Sequence, residues 1–244
     1  MSPSRLRIAA CATSLVVAVA ATAVAQPARP LVYQAPDESR DKGPRRIAGE
    51  IGTLRMMTPT TRNAVLSRTT GERVYDLSVQ YFIGLPSWYG DDDLPPIVAR
   101  GVLVDVAGMK NVARLPDDYR ISREELEAAL AAQRASLRDG DIVLIRGGKI
   151  TLEAAQWLAE TKAAMIIGGD QLSLETYKYG RPDLTVPVHN YLLVQRGIAI
   201  IQVDNLDALA RDKVYEFAFV AAALRSGGKQ MQFRPLAFPL RPES

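Results

Sequence analysis

Short apolar segments that alternate with amphipathic segments constrain the fold of this chain more than any other feature. Four of them are rich in β-branched residues and have the length of buried strands: residues 99–106, 141–146, 164–168 and 197–203. A helix is expected from Ser122, because Glu125 lies three residues on as a capping box requires, and a second helix is expected over residues 151–161. Strands that alternate with helices predict a mixed α/β domain.

The remaining elements follow weaker patterns. Residues 73–81 alternate apolar and polar side chains and predict a strand, and residues 215–224 predict another. The helical spacing of Leu126, Leu130 and Leu137 predicts that the helix from Ser122 continues to a turn at residues 139–140. Residues 233–240 contain prolines, which favours an edge strand.

The first 25 residues have the pattern of a secretory signal peptide. Arg5 and Arg7 precede an apolar stretch, and an A-x-A sequence ends at Ala25. An uncleaved membrane anchor is the alternative, but the stretch is rich in Ala, Ser and Thr rather than in Leu and Ile. We therefore expect a secreted or periplasmic protein. Residues 26–72 are expected to be a flexible, irregular segment, with an ambiguous helical pattern over 47–68, and residues 73–244 to form a single domain.

Charge and cysteine usage exclude some classes of function. The chain has 30 Lys and Arg against 27 Asp and Glu, and loss of Arg5 and Arg7 would leave 28 basic residues. A balance so close to neutral gives no support for nucleic-acid binding. Cys11 is the single cysteine and lies in the signal sequence, so the mature protein would have no disulfide and no thiolate ligand.

Several motifs occur in an order that resembles a known family. They are DLS at 76–78 with GLP at 84–86, RGVLVDV at 100–106, GDIVLIR at 140–146, EAAQWLAE at 153–160, GGD at 168–170 with Ser173, PVH at 187–189, and FRPL at 233–236. Over about residues 75–240 the chain is similar to the putative cyclase family, metal-dependent hydrolases that include bacterial kynurenine formamidase. The resemblance implies an α/β fold with a mixed, partly open, barrel-like sheet flanked by helices. It also implies hydrolysis of amide or lactam C–N bonds with Zn²⁺ or Mn²⁺, and assembly into oligomers.

The chain departs from this family at the metal site. The family's H-x-G-T-H-x-D motif should precede the strand at residue 100, but residues 91–99 contain no histidine. His189, the single histidine, matches a family metal ligand, and Gln202 stands where the family has Glu. An amide oxygen brings no negative charge, and a catalytic zinc site uses three protein ligands. We therefore expect no metal cofactor in this chain alone, and we favour a leftover, hydrogen-bonded His189 over a working ligand or base.

Other candidate site residues have a functional and a structural interpretation. Trp88 and Tyr89 could line a pocket for an aromatic substrate or could pack in the core. Asp170, in the loop that also carries Ser173, is expected to cap the segment that follows it. The three aspartates at 91–93 could bind a hard cation, but a solvated turn is the favoured interpretation.

The leading hypothesis is a degenerate family member, related to arylformamidase-type hydrolases and weakly active or inactive alone. A first alternative is a non-catalytic protein that binds a small aromatic or amide ligand, or a partner subunit that forms a homo- or hetero-oligomer with a cyclase-family chain. A second is the internally deleted product of the gene for an ordinary metal-dependent hydrolase. We expect no nucleic-acid partner, and no membrane association after signal cleavage.

Overall fold

A computed structural model describes residues 52–78, 96–171, 173–175, 186–222 and 234–242, which belong to one compact unit spanning Ala35–Ser244. The fold is mixed α/β, with a curled, half-barrel sheet of seven strands flanked by helices. In chain order the strands are β1 (Tyr75–Asp76), β2 (Ile97–Asp105), β3 (Arg120–Ile121), β4 (Ile142–Arg146), β5 (Lys149–Ile150), β6 (Ile166–Gly169), β7 (Ala199–Gln202), β8 (Glu216–Ala221) and β9 (Leu236–Pro239). The expected fold class is confirmed.

The large sheet has a parallel and an antiparallel part. Its strand order is β1-β9-β8-β2-β4-β6-β7, with β3 and β5 forming a separate parallel pair. Strands β2, β4, β6 and β7 run parallel to one another. Strand β8 pairs in antiparallel fashion with β2 and with β9, and β9 pairs in antiparallel fashion with β1. The carboxyl ends of the four parallel strands therefore lie along one edge, where open α/β sheets bind ligands.

Helices cover the sheet and are mostly short. A 3₁₀ helix (Gly52–Met56) precedes α1 (Pro59–Leu66), α2 (Val106–Met109), α3 (Arg123–Gln133), α4 (Leu152–Gln156), α5 (Pro187–His189) and α6 (Leu206–Arg211). Two of them widen into π-helical turns, α4 over Trp157–Thr161 and α5 over Asn190–Gln195. The predicted capping box is present, since Ser122 and Glu125 each accept a bond from the other's backbone N–H. Within the described residues, no helix has the length and apolar character needed to cross a membrane.

Each face of the sheet packs on its own apolar cluster. Val102 and Val143 face a cluster that includes residues of α3, α4 and the two π-helical turns. Leu103 and Leu144, one residue along each strand, face a cluster that includes Leu54 of the 3₁₀ helix and residues of α6. Neighbouring residues of one strand contact different clusters, because successive side chains of a strand point to opposite faces of the sheet.

Two sequence expectations are corrected by the structure. Helix α3 ends at Gln133 rather than near residue 139, because Arg134 adopts a left-handed conformation with φ of 54°. Strand β9 is not an edge strand, since it pairs with both β1 and β8. The 3₁₀ helix and α1 lie within residues 47–68, where the sequence has an ambiguous helical pattern.

Candidate functional site

A histidine–glutamate pair lies beyond the carboxyl end of β6. Nδ1 of His189 lies 2.6 Å from Oε1 of Glu175, whose side chain is only 8% exposed. The same carboxylate accepts hydrogen bonds from the backbone N–H groups of Val188 and His189, at 3.2 and 2.9 Å. These amides lie in the first turn of α5, where N–H groups have no partner within the helix. Glu175 therefore holds both the start of α5 and the imidazole ring.

The contact leaves one ring nitrogen of His189 for other partners. Because Nδ1 faces Glu175, Nε2 is the ring atom that can meet a ligand or a water molecule. The His189 side chain is 23% exposed, so the ring is sheltered without being sealed off. Histidines that bind metals or move protons are commonly oriented by a carboxylate at the other ring nitrogen. The arrangement therefore fits an oriented ligand or base better than an unconstrained surface histidine.

The loop after β6 positions Glu175. Oγ of Ser173 accepts a hydrogen bond from the Glu175 N–H at 3.3 Å, which forms a local turn. Oδ1 of Asp170 accepts from the Gly147 N–H at 3.2 Å, which ties this loop to the loop after β4. Burial raises the pKa of Asp170 above its ordinary value. Ser173 and Asp170 thus support the site through backbone contacts.

Gln202 lies at the same edge of the sheet as the pair. It is the last residue of β7 and is the register partner of Gly169 at the end of β6. Ile200, two residues earlier and therefore on the same face, packs against the cluster that contains Val188 of α5. The fold brings Gln202 and His189 to one face of one edge, although no hydrogen bond between them is present in the described residues.

A buried ion-pair cluster closes the neighbouring part of this edge. Asp105 and Arg146, the last residues of β2 and β4, are register partners, and Nη1 of Arg146 donates to Asp105 at 2.8 Å. Nε of Arg146 donates to Asp207 of α6 at 2.6 Å, and Nη2 donates to the Ala113 carbonyl at 3.0 Å. Through these three bonds, Arg146 joins β2 and β4 to α6 and to the segment after α2.

Sequence reasoning identified His189, Gln202, Asp170 and Ser173 but missed Glu175 and the Arg146 cluster. The available signal for Glu175 was its position two residues after Ser173, at the end of an apolar Leu-Ser-Leu stretch. Trp88, Tyr89 and the aspartates at 91–93 lie outside the described residues, as does the proposed signal peptide.

Among the described residues, the side chains near His189 do not fit a catalytic metal. In the described ranges, no three His, Cys, Asp or Glu side chains are grouped so that they could hold a metal ion. Glu175 is committed to two backbone amides and the ring, and Gln202 offers only a neutral amide. A donor set of one imidazole and one amide is short of the three protein ligands of a catalytic zinc site.

Comparisons with known proteins agree with this architecture. Residues 54–208 match the family model Cyclase, described as "Putative cyclase". A crystal structure of a novel cyclase superposes with a TM-score of 0.65 and 18% identity, over 78% of this chain and 96% of its own. Isatin hydrolase A from Labrenzia aggregata, bound to benzyl benzoate, gives a TM-score of 0.52 and 16% identity, over 69% and 94%. At these identities the two structures indicate a shared fold. No curated protein matches the chain.

Proposed function

This chain belongs to the putative cyclase family, and from that membership we propose that it is related to arylformamidase-type hydrolases of amide C–N bonds, with weak or no hydrolase activity alone. The observation that carries the proposal is that the described residues contain no group of three His, Cys, Asp or Glu side chains that could hold a metal ion, at His189 or elsewhere. The chain is therefore related to hydrolases by descent, while its own hydrolase activity is weak or absent.

The chemistry of amide hydrolysis explains why this donor set limits the rate. Water attacks an amide slowly unless its pKa is lowered or a base removes its proton as it attacks. Nε2 of His189 can act as such a base, because Glu175 at Nδ1 stabilises the imidazolium that would form. General-base catalysis contributes about 10² to 10⁴-fold, which is a small part of the acceleration that typical enzymes achieve.

A direct test is hydrolysis of aromatic amides by the purified protein. N-formylkynurenine represents the arylformamidase class, and isatin represents the cyclic amides suggested by the fold similarity. We expect at most slow turnover, unchanged by added Zn²⁺ or Mn²⁺ and lowered by His189→Ala. Turnover at an ordinary enzymatic rate, or an increase of 100-fold or more with either metal, would refute weak activity.

A second candidate function is supported by the intact His189–Glu175 pair. The imidazole of His189 is partly exposed and is held by a buried carboxylate, so it can donate or accept a hydrogen bond from a small aromatic or amide ligand without catalysing a reaction. In this second function the protein binds such a ligand, or it joins a complete cyclase-family chain that supplies the metal. Saturable binding of isatin without turnover, lost in His189→Ala, would favour the ligand-binding role. Co-purification with a cyclase-family protein that carries the complete histidine motif would favour the partner role.

Export is proposed on the sequence of residues 1–25 alone. A secreted or periplasmic protein would meet small aromatic metabolites and partner chains outside the cytoplasm. Mass spectrometry of the protein from its native host should find the mature N-terminus at Gln26. An N-terminus at Met1 would contradict export by cleavage.

A further inference from the structure

The π-helical turn of α5 begins at the residue that follows His189. Helix α5 spans Pro187–His189, and its π-helical turn spans Asn190–Gln195. The backbone N–H of Arg196 donates to the Tyr191 carbonyl at 3.1 Å, five residues back, which is the hydrogen bond that defines such a turn. Turns of this kind contain one residue more than an α-helical turn and occur frequently at functional sites. The turn therefore lies between His189 and β7.

The extra residue sets the direction in which His189 leaves the helix. Each residue of an α-helix advances about 100° around the axis, so conversion of the turn to α-helical form would rotate one side of it by about that angle relative to the other. The C-terminal side is held, because β7 follows it closely and pairs with β6. The rotation would fall on Val188 and His189, whose N–H groups and imidazole would turn away from Glu175.

A pair of buried side chains is matched to the π-helical form of this turn. Tyr191 and Arg196 are 5% and 8% exposed. Nε of Arg196 donates to the Tyr191 hydroxyl at 2.7 Å, and its guanidinium carbon lies 5.0 Å from the centre of the Tyr191 ring. Residues five apart in an α-helix point about 140° away from each other. The two side chains therefore meet on one side of the segment because the turn is π-helical.

Glu160 ties this pair to α4. Its Oε1 accepts a hydrogen bond from the Tyr191 hydroxyl at 2.6 Å and another from Nη2 of Arg196. Burial raises the pKa of Tyr191 to about 12, which keeps the hydroxyl protonated and able to donate to Glu160. Glu160 itself lies in the π-helical turn of α4, Trp157–Thr161. The three side chains therefore join the two π-helical turns.

Packing alone does not require these polar atoms. Phenylalanine and methionine would fill the positions of Tyr191 and Arg196, beside the buried Leu192, without removing a hydroxyl and a guanidinium group from water. That removal costs free energy, which the hydrogen bonds and the ion pair only offset. The cluster is better explained by the helical register that its polar contacts fix.

We propose that Tyr191 and Arg196, anchored by Glu160, are positioning residues for His189. They hold α5 in the register that keeps Nδ1 of His189 at Glu175 and leaves Nε2 for a ligand or a water molecule. No hydrogen bond joins the three side chains to the imidazole among the described residues, so they act through the backbone of the turn. The inference rests on the proposed function in taking His189 as the functional group, and its test needs no substrate.

Nuclear magnetic resonance of the His189 ring nitrogens in the full-length protein tests the proposal. Tyr191→Phe removes the hydroxyl and keeps the ring, and Arg196→Met removes the guanidinium group and keeps the length of the stem. In both variants we expect the fraction of rings with hydrogen on Nε2 to rise at least threefold. The Val188 and His189 amides should exchange hydrogen with solvent at least tenfold faster, relative to the Leu103 amide in the core. Urea unfolding verifies that each variant is folded.

Tyr75→Phe is the matched control. The Tyr75 hydroxyl donates to Asp212 at 2.9 Å and accepts from Nη1 of Arg73 at 3.3 Å, so it also bonds to one carboxylate and one guanidinium group. Tyr75 belongs to the apolar cluster on the opposite face of the sheet from Val188. This variant should leave the ring nitrogens and the relative exchange of the two amides as they are in the wild type.

Two results would overturn the proposal. One is an unchanged ring and unchanged amide exchange in folded Tyr191→Phe and Arg196→Met. The other is an equal change in Tyr75→Phe, which would indicate a general effect of lost stability. A wild-type protein that fails to hydrolyse N-formylkynurenine or isatin leaves these readouts intact, so failure of the proposed function and failure of this inference are separate observations.

Discussion

At the residue scale, one buried carboxylate does most to define the candidate site. Glu175 receives three hydrogen bonds, two from the first turn of α5 and one from the only imidazole in the chain. Bonds to an ionised carboxylate are stronger than neutral ones. The site therefore depends on Glu175 both for its stability and for the direction in which His189 presents Nε2.

Replacing Glu175 should destabilise the protein more than replacing His189. Glu175→Ala would leave the N–H groups of Val188 and His189 without their acceptor, which should lower the free energy of unfolding by about 2 to 4 kcal/mol. Glu175→Gln keeps one acceptor oxygen and should cost roughly half as much. His189→Ala leaves the helix start intact and should cost less than either. Urea unfolding of the three variants measures this order, and an equal cost for His189→Ala and Glu175→Ala would contradict it.

The single histidine gives an unambiguous readout of the pair. Nuclear magnetic resonance of the ring nitrogens should show hydrogen on Nδ1, because that atom faces Glu175. In Glu175→Gln the population with hydrogen on Nε2 should rise, since the amide can donate to Nδ1. A wild-type ring with hydrogen on Nε2 alone would show that Glu175 does not orient His189 as described.

A second buried carboxylate should make stability depend on pH. Asp141 accepts from Nη1 of Arg100 at 2.6 Å and from the Arg138 N–H at 2.7 Å, yet burial raises its pKa from an ordinary 3.8 to about 6. The folded state then binds a proton more tightly than the unfolded state. Stability should therefore fall as pH rises from about 4 to 6, by about 2 to 3 kcal/mol, and change little above that range.

Asp141→Asn isolates this contribution. The asparagine does not titrate, so the difference in unfolding free energy between wild type and variant should change over pH 4 to 6 and be level from pH 6 to 8. Urea unfolding at unit steps of pH measures it. A difference that stays constant from pH 4 to 8 would mean that Asp141 titrates near its ordinary value.

The residues of the site were predictable from sequence only in part. His189 was found because it is the single histidine, and Gln202 because it follows at the spacing of a family ligand. Glu175 was missed because a capping carboxylate and a surface carboxylate look the same in sequence. The difference lies in burial and in the direction of the α5 amides, which tertiary structure alone sets.

At the element scale, the 3₁₀ helix is attached to the sheet through a close backbone contact. Gly52 and Gly197 both have positive φ, and a Cβ on Gly52 would collide with the Gly197 carbonyl. The Thr53 N–H donates to the Gly197 carbonyl at 3.1 Å, and its hydroxyl donates to the Met165 carbonyl at 2.6 Å. This contact holds the 3₁₀ helix where Leu54 is buried in the core.

Gly52→Ala should therefore loosen this attachment. The added methyl group meets backbone, which cannot move as a flexible side chain would, so we expect a loss of about 2 kcal/mol or more. Gly71→Ala is the matched control, because Gly71 also has positive φ but has open space at the Cβ position. It should lose only about 1 kcal/mol for the left-handed conformation. Thermal unfolding of both variants measures the difference, and equal losses would show that the Gly197 contact is not limiting.

Element boundaries were predictable where local chemistry dictates them. The parallel strands have long β-branched runs, and Ser122 with Glu125 marks the start of α3. The end of α3 was not predictable, because Arg134 adopts a conformation that usually requires glycine. The interior position of β9 was also missed. Prolines suggested an edge, but Pro235 precedes the strand and Pro239 ends it, so neither interrupts the ladder.

At the scale of the whole molecule, the family match over residues 54–208 and the order of the strands describe one fold. Gln202 ends β7 at the edge formed by the carboxyl ends of the parallel strands, where α/β sheets bind ligands. The order of motifs along the chain allowed this fold to be predicted.

The metal content of the purified protein, after incubation with Zn²⁺ and with Mn²⁺ and removal of excess ion, tests most directly whether His189 holds a metal. We expect far less than one bound ion per chain by elemental analysis, with no change in His189→Ala. One ion or more per chain, lost in His189→Ala, would contradict it and would mean that the chain holds a metal site built from His189 and other ligands.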